Sequence, residues 1–325
     1  MKSKSVVVRS HGGPEVIELV DADAPEPGKG EVRIRQHAIG LNFIDIYFRT
    51  GLYPSTLPHG LGFEAAGVVE AVGADVNLKE GDRVAYPQGP IGAYADLRTM
   101  PATMVVKLPK AITFEQGAAA MLKGLTVQYL FRQTYRLQGN ETILFHAAAG
   151  GVGLIACQWA RVLGVKLIGT VSSPEKAALA KKHGAWQTID YSRENVAERV
   201  IALTNGAKVP VVYDGVGKTT WEGSLDSLQP RGLMVSFGNS SGAVTGVNLG
   251  ILAAKGSLFV TRPTLGTHVV PRARLEESSA ELFDLMRQGK IKIDVEQRYA
   301  LADAAKAHAD LEARKTVGST VLIPG

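Results

Sequence analysis

The stretch Thr142-Ile143-Leu144-Phe145-His146-Ala147-Ala148-Ala149-Gly150-Gly151-Val152-Gly153 decides the fold. Its first part is a short apolar run that reads as a buried strand. A small-residue turn follows, and residues 153–163 read as a helix. The turn fits G-x-G-x-x-G with alanine first: Ala148, Gly150, Gly153. Gly150 lets the backbone approach a pyrophosphate, and Gly153 lets the helix pack against the strand. The amides at the start of the helix would face the anion, and the helix dipole favours negative charge. The same turn can also serve as a ligand-free strand-to-helix connection. The ordered strand, loop, helix and second strand favour a dinucleotide-binding motif.

Outward from this loop, strand and helix patterns alternate. Strands are predicted at 165–171, 187–190, 209–213, 232–237 and 257–260. Helices are predicted at 174–183, 194–203 and 219–228, with Pro174 in a first turn and Gly184 just past an end. Alternation of this kind needs a parallel sheet with right-handed crossovers, a doubly wound α/β (Rossmann) domain. Upstream, strand-like runs at 5–9, 31–38, 65–72, 83–85 and 93–98 lie between Pro- and Gly-containing turns, with a last strand over 105–109. They indicate a β-rich unit. A helix begins near Thr113, with Gln116 completing a capping box. Downstream, helices at 275–288 and 303–315 and a strand at 319–323 are too few for a core of their own. They are expected to complete the N-terminal domain, giving a catalytic domain over 1–122 plus 266–325 and an inserted domain over 123–265.

The 325 residues carry a formal charge of +5 and include one cysteine, Cys157. A single thiol forms no internal disulfide and no cysteine-rich zinc site. Nothing resembles a signal peptide or a membrane span, so a cytoplasmic protein is expected. The isoelectric point of about 9.2 suits an anionic ligand. An NAD binder places an acid about 20 residues beyond the glycine loop, on the ribose hydroxyls. Here Ser172, Ser173 and Lys176 stand in that region, with Tyr191 after the next strand. Hydroxyls and a cation suit a 2′-phosphate, which a carboxylate would repel, so NADP(H) is predicted over NAD(H).

These motifs, together with Gly62–Gly67, Ala93-Tyr94-Ala95, Met121–Thr126, Val212–Val216 and Gly238–Gly242, resemble the medium-chain dehydrogenase/reductase superfamily. Within it they are closest to the zinc-independent NADPH:quinone oxidoreductases of the ζ-crystallin type. The resemblance implies a GroES-like catalytic domain around an inserted Rossmann domain, usually in a homodimer, in which residues 257–261 would pair across the twofold axis. Zinc-dependent members carry a Gly-His-Glu motif and two separated cysteines. Here Phe63 replaces the histidine, Asn42 the first cysteine, and Leu122 or Lys123 falls near the second. No metal is expected.

Without zinc to stabilise an alkoxide, hydride delivery to an electrophilic acceptor is the easier reaction. The expected activity is direct hydride transfer from NADPH to a quinone, with a proton from water or a tyrosine. Asn42, Tyr47 and Tyr53 are the candidate catalytic residues: Asn42 as a polar anchor on cofactor or acceptor, the tyrosines as stacking faces or proton donors. Both tyrosines can equally be packing residues. By the resemblance, Asn42, Lys123, Thr126, Gly150, Gly151, Val152, Ser172, Lys176, Tyr191, Val216, Phe237, Gly238, Arg262 and Pro263 would contact the cofactor. Asp45 reads as structural, Phe63 as pocket packing, Glu64 as a paired buried acid, and Cys157 as a small packed residue. Two other functions remain open: reduction of α,β-unsaturated carbonyls by the same hydride chemistry, and an RNA-binding or structural role. No RNA-binding signature supports the last.

Overall fold

The structure, a computed structural model, describes residues 1–325. The chain forms two units, one from Met1–Leu125 with Val269–Gly325, the other from Thr126–His268. No helix is long and apolar enough to cross a membrane.

The second unit is built on a six-stranded sheet. Its strands in chain order are Thr142–Phe145, Lys166–Val171, Gln187–Asp190, Val209–Asp214, Leu228–Ser236 and Phe259–Thr261. All neighbours are parallel. The spatial order is third, second, first, fourth, fifth, sixth, which is the dinucleotide-binding order with its reversal between Thr142–Phe145 and Val209–Asp214. Leu144, Ile168, Ile189, Val212 and Met234 bury one continuous core. Near-continuous apolar strands of this kind are expected where helices cover both faces of a sheet.

The first unit is β-rich. Its seven-stranded sheet runs Val295–Ala300, Ser319–Ile323, Glu31–Gly40, Ala65–Val72, Arg83–Tyr86, Val106–Lys107, and Leu97–Pro101 also pairs with Glu31–Gly40. Only Val295–Ala300 and Ser319–Ile323 are parallel to each other. The strands Lys2–Val8 and Ile17–Asp23 form a separate hairpin. Val32, Ile34, Ile39, Leu61, Val84 and Leu322 lie in the core. The molecule is thus an α/β protein joining a GroES-like β unit to a doubly wound Rossmann unit.

Several elements differ from expectation. The strand expected at 93–98 lies at Leu97–Pro101, because Ala93 and Tyr94 bond singly to Gly62 and Leu61 before any ladder begins. The strand expected from residue 232 begins at Leu228. It already pairs with Val209, and an irregularity passes through Arg231 at φ 61°. The helix Phe43–Arg49 was not anticipated. Its aromatic and β-branched residues favour strands, but the Asp45 carboxylate accepts the Asn42 amide at 2.9 Å and starts a helix. At Thr113 the expected capping box is present: its hydroxyl accepts the Gln116 amide at 3.1 Å, and its own amide donates to the Gln116 side chain at 3.0 Å.

Candidate active site

Because the six strands of the second unit are parallel, their C-terminal ends share one edge. Each end is followed by residues that the sequence singles out. Gly150, Gly151 and Val152 follow Phe145, and Ser172 and Lys176 follow Val171. Tyr191 follows Asp190, Val216 follows Asp214, Phe237 and Gly238 follow Ser236, and Arg262 and Pro263 follow Thr261. Open α/β sheets bind ligands at this edge, in the crevice where strand order reverses.

The phosphate loop is tightly specified. Gly150 caps the helix Gly151–Val162 in extended conformation. A Cβ at Gly153 would sit 2.4 Å from the Ala147 carbonyl oxygen and 2.6 Å from the Ala148 backbone, so only glycine lets helix and strand approach so closely. Ala147 itself is left-handed at φ 54°, a conformation that costs an alanine energy and needs support from its surroundings. Gly238 is required in the same way, since a Cβ there would lie 2.4 Å from the Gly215 oxygen. Phe237 packs its ring 5.7 Å from that of Phe145. Arg262 donates to the Ser236 carbonyl at 2.7 Å, and with Pro263, Thr134, Leu233 and His268 it lines an open cleft of about 420 Å³. Thr126 is buried in the helix Phe114–Tyr129.

Beyond the strand Lys166–Val171, the Tyr191 amide donates to the Val171 carbonyl at 3.1 Å, which brings Tyr191 beside Ser172. Ser173 caps the next helix by accepting the Lys176 amide at 3.3 Å. The acid Asp190, paired with Val171 across the sheet, accepts the Ser192 hydroxyl at 2.6 Å and its amide at 3.0 Å. Those bonds hold its carboxyl below the usual range.

In the first unit, Glu64 is fully buried. Oε1 accepts the Asn42 side-chain amide at 2.7 Å and the Lys123 ammonium at 2.8 Å, while Oε2 accepts the Leu122 amide at 2.6 Å. A buried charge persists only with such partners. The sequence signals for Asn42, Glu64 and Lys123 therefore converge on one knot. The Tyr47 and Tyr53 rings meet tilted at 5.1 Å, Phe48 lies 5.7 Å from Tyr53 and 5.1 Å from Phe63, and these rings form an aromatic cluster.

Two features had no local signal in the sequence. Asp45, also fully buried, accepts the Tyr94 hydroxyl at 2.9 Å. That hydroxyl lies 3.0 Å from Nε2 of His308, whose Nδ1 accepts Arg49 at 3.1 Å. Arg49 has no exposed surface and reaches Glu312 at 2.7 Å. Burial pushes the Asp45 carboxyl up to about 7, against the opposing Asn42 amide and Tyr94 hydroxyl. Burial and the Arg49 charge push His308 down to about 3. The second feature, around Asp214 and His146, lies at the reversal of the second-unit sheet. Sequence spacing shows neither, because their partners are remote along the chain. Cys157 is buried in the phosphate helix, and burial raises its thiol to about 12.

A β-rich unit in one chain with a doubly wound unit that carries a glycine loop at its sheet reversal defines a two-domain nicotinamide-dependent dehydrogenase or reductase. Family models agree: residues 28–110 match the alcohol dehydrogenase GroES-like domain, and residues 151–283 match the zinc-binding dehydrogenase model. The chain is 64% identical to the quinone oxidoreductase of Pseudomonas aeruginosa, over 99% of this chain and 100% of that one. The crystal structure of the Escherichia coli quinone oxidoreductase complexed with NADPH superposes with a TM-score of 0.98 at 56% identity, covering 99% of this chain and 100% of the other. The 2-haloacrylate reductase of a Burkholderia species is 42% identical, over 98% of both chains. The chain belongs to the quinone oxidoreductase family of the medium-chain dehydrogenase/reductase superfamily, and it is an oxidoreductase.

The zinc named in one family description does not fit the residues present. No three His, Cys, Asp or Glu side chains come together as a ligand set. Asn42 and Lys123 both donate to Glu64, and the Phe63 ring packs on Phe48.

Proposed function

We propose that the protein is an NADPH-dependent quinone reductase that passes hydride directly to its acceptor without zinc. The observation that carries this reading is the end of the strand Lys166–Val171. Ser172 and Lys176 follow that strand, the Tyr191 amide bonds back to its last residue, and Asp190, paired across the sheet with Val171, is occupied by Ser192. This set offers donors and a cation to a 2′-phosphate. The E. coli relative's complex with NADPH supports the assignment.

Bound NADPH supplies a hydride from its nicotinamide ring. The chain's own residues bind and orient. Gly150, Gly151 and Val152 offer helix-terminal amides to the pyrophosphate. Val216, Phe237, Gly238, Arg262 and Pro263 carry the remainder of the cofactor, as do Thr126 and Lys123. Asn42, its amide fixed by Glu64, is the polar anchor. The Tyr47–Tyr53 cluster would offer a planar acceptor a ring face, and either hydroxyl would return a proton. The cytoplasm is the expected compartment. A homodimer is expected through the edge strand Phe259–Thr261, whose Phe259 is 55% exposed.

The deciding experiment is steady-state kinetics with NADPH and NADH against a small quinone, on protein assayed for metal. Equal efficiency with both nucleotides, or activity that tracks zinc content, overturns the reading. Tyr47→Phe and Tyr53→Phe test the proton source: if neither lowers turnover by about tenfold, roughly 1.4 kcal/mol, water supplies the proton. The 2-haloacrylate reductase relative supports a second reading, reduction of α,β-unsaturated carbonyls. A panel of quinones against such acceptors separates the two.

A further inference from the structure

At the sheet reversal, a buried polar chain joins two loops of the second unit. The Ala147 amide donates to the Thr170 hydroxyl oxygen at 3.1 Å. That hydroxyl lies 3.1 Å from Nδ1 of His146, and Nε2 of His146 lies 2.9 Å from the Ser224 hydroxyl. Ser224 donates to Oδ2 of Asp214 at 2.8 Å, as does Thr220 at 2.6 Å. Oδ1 of Asp214 accepts the Val216 amide at 2.7 Å and the Gly217 amide at 3.0 Å. His146, Thr170, Asp214 and Ser224 are all buried, none more than 2% exposed.

The chain has one direction. Asp214 only accepts, so Ser224 spends its proton there and its oxygen takes the Nε2 proton of His146. Nδ1 is then bare and takes the Thr170 proton, which leaves the Thr170 oxygen to receive the Ala147 amide. Every buried donor and acceptor along this path is matched, and the order rests on the Asp214 charge. Such fully matched networks fix one arrangement of the groups they join.

We propose that Asp214, acting through Ser224, His146 and Thr170, is a positioning residue for dinucleotide binding: it locks the phosphate loop and the Val216–Gly217 turn into one rigid cradle. The proposal rests on the reading that this edge binds a dinucleotide. At one end of the chain lies Ala147, the left-handed residue whose carbonyl accepts the Gly150 amide at 3.0 Å. At the other end lies Val216, whose carbonyl accepts the Ser241 hydroxyl at 2.9 Å. The chain thus ties both sides of the crevice to one carboxylate. Adjacent strands carry the two sides, with Phe145 paired to Tyr213.

The test compares wild type with Ser224→Ala, Thr170→Val and Thr170→Ser in the full chain, each checked for cooperative melting. Hydrogen exchange without nucleotide is followed in peptides covering residues 146–151 and 215–218. NADPH affinity is read by nicotinamide fluorescence, and kcat and both KM values are measured. The expected result is faster exchange in both peptides for Ser224→Ala and Thr170→Val. Their NADPH Kd rises about tenfold, with kcat and quinone KM near wild type. Thr170→Ser, which keeps the hydroxyl, restores affinity and slow exchange. Unchanged Kd in both disruptive variants overturns the proposal. So does faster exchange confined to the peptide nearest the substitution, or a uniform loss of kcat and both KM values that follows the folded fraction. If the wild-type protein fails to bind NADPH, the functional reading itself falls, a different outcome from a wild type that binds and variants that bind equally.

Discussion

Asp45 in the first unit and Asp214 in the second are both fully buried aspartates beside a buried histidine network, yet burial has opposite outcomes for them. At Asp214 burial works to raise the carboxyl, but His146, the Thr220 and Ser224 hydroxyls and the Gly217 amide outweigh it and hold the group below its usual range. At Asp45 burial wins and the carboxyl rises to about 7. The difference lies in the donors. Each oxygen of Asp214 accepts two bonds. Asp45 receives the Asn42 amide and the Tyr94 hydroxyl on Oδ2 alone, and Oδ1 has no partner. A buried carboxylate keeps its charge where the fold surrounds it with donors, and takes up a proton where the fold does not.

The largest expected effect comes from removing the better-solvated charge. Asp214→Ala strands the donors gathered around it and should destabilise the second unit by about 3–5 kcal/mol. Asp45→Ala strands only the Asn42 amide and the Tyr94 hydroxyl and should cost about 1–3 kcal/mol. Urea denaturation of both variants checks the order, and equal losses would break the comparison.

Acid separates the units next. In the first unit, Asp45 keeps a proton that its unfolded form, with a value of 3.8, has lost, and His308 lacks one that its unfolded form, at 6.5, holds. Between roughly pH 4 and 6.5 the two effects cancel. Asp45→Asn removes one side. Stability of the first unit should then fall more steeply with acidification from pH 6.5 than in wild type, by about a further 1.4 kcal/mol per pH unit.

The second unit has no such cancellation. Burial lowers His146, so stability is lost as pH falls below 6.5. The depressed Asp214 adds a further loss as pH falls below 3.8. Hydrogen exchange at about pH 5 should therefore rise first in the second-unit sheet. A smaller effect should come from Tyr94→Phe, which takes one of the two donors from Asp45. A loss of about 1 kcal/mol is expected in thermal denaturation, with Asp45 titrating higher still.

Local sequence made the second unit the more legible of the two. The strands Thr142–Phe145 and Gln187–Asp190 are visible at their observed ends, the first because a buried apolar run bounded by turn residues admits one reading, the second because it falls between two helix patterns. In the first unit, the half-buried strands Ile17–Asp23 and Val295–Ala300 are short and broken by charges, Glu18, Asp21 and Asp23 in one and Glu296 and Arg298 in the other, and give no comparable signal. The helix Phe43–Arg49 gives no apolar period of its own; its start depends on the Asn42–Asp45 capping pair. The site divides in the same way. Loop residues next to a strand end can be counted from the sequence, and Asn42, Glu64 and Lys123 stood out by motif position. His146, His308 and Asp214 did not, because tertiary contact makes them. His308 meets Tyr94 across 214 positions and Arg49 across 259.

The strand Ser319–Ile323 lies inside the first-unit sheet, between Val295–Ala300 and Glu31–Gly40. During synthesis, Thr261 completes the strands of the second unit well before Ser319 emerges from the ribosome. The first unit must wait, and the edge of Glu31–Gly40 at Ile39 and Gly40 stays open until Ser319–Ile323 has emerged. Open edges recruit strands from other chains. In a growing chain of this protein, the exposed strand edge therefore belongs to the β-rich unit.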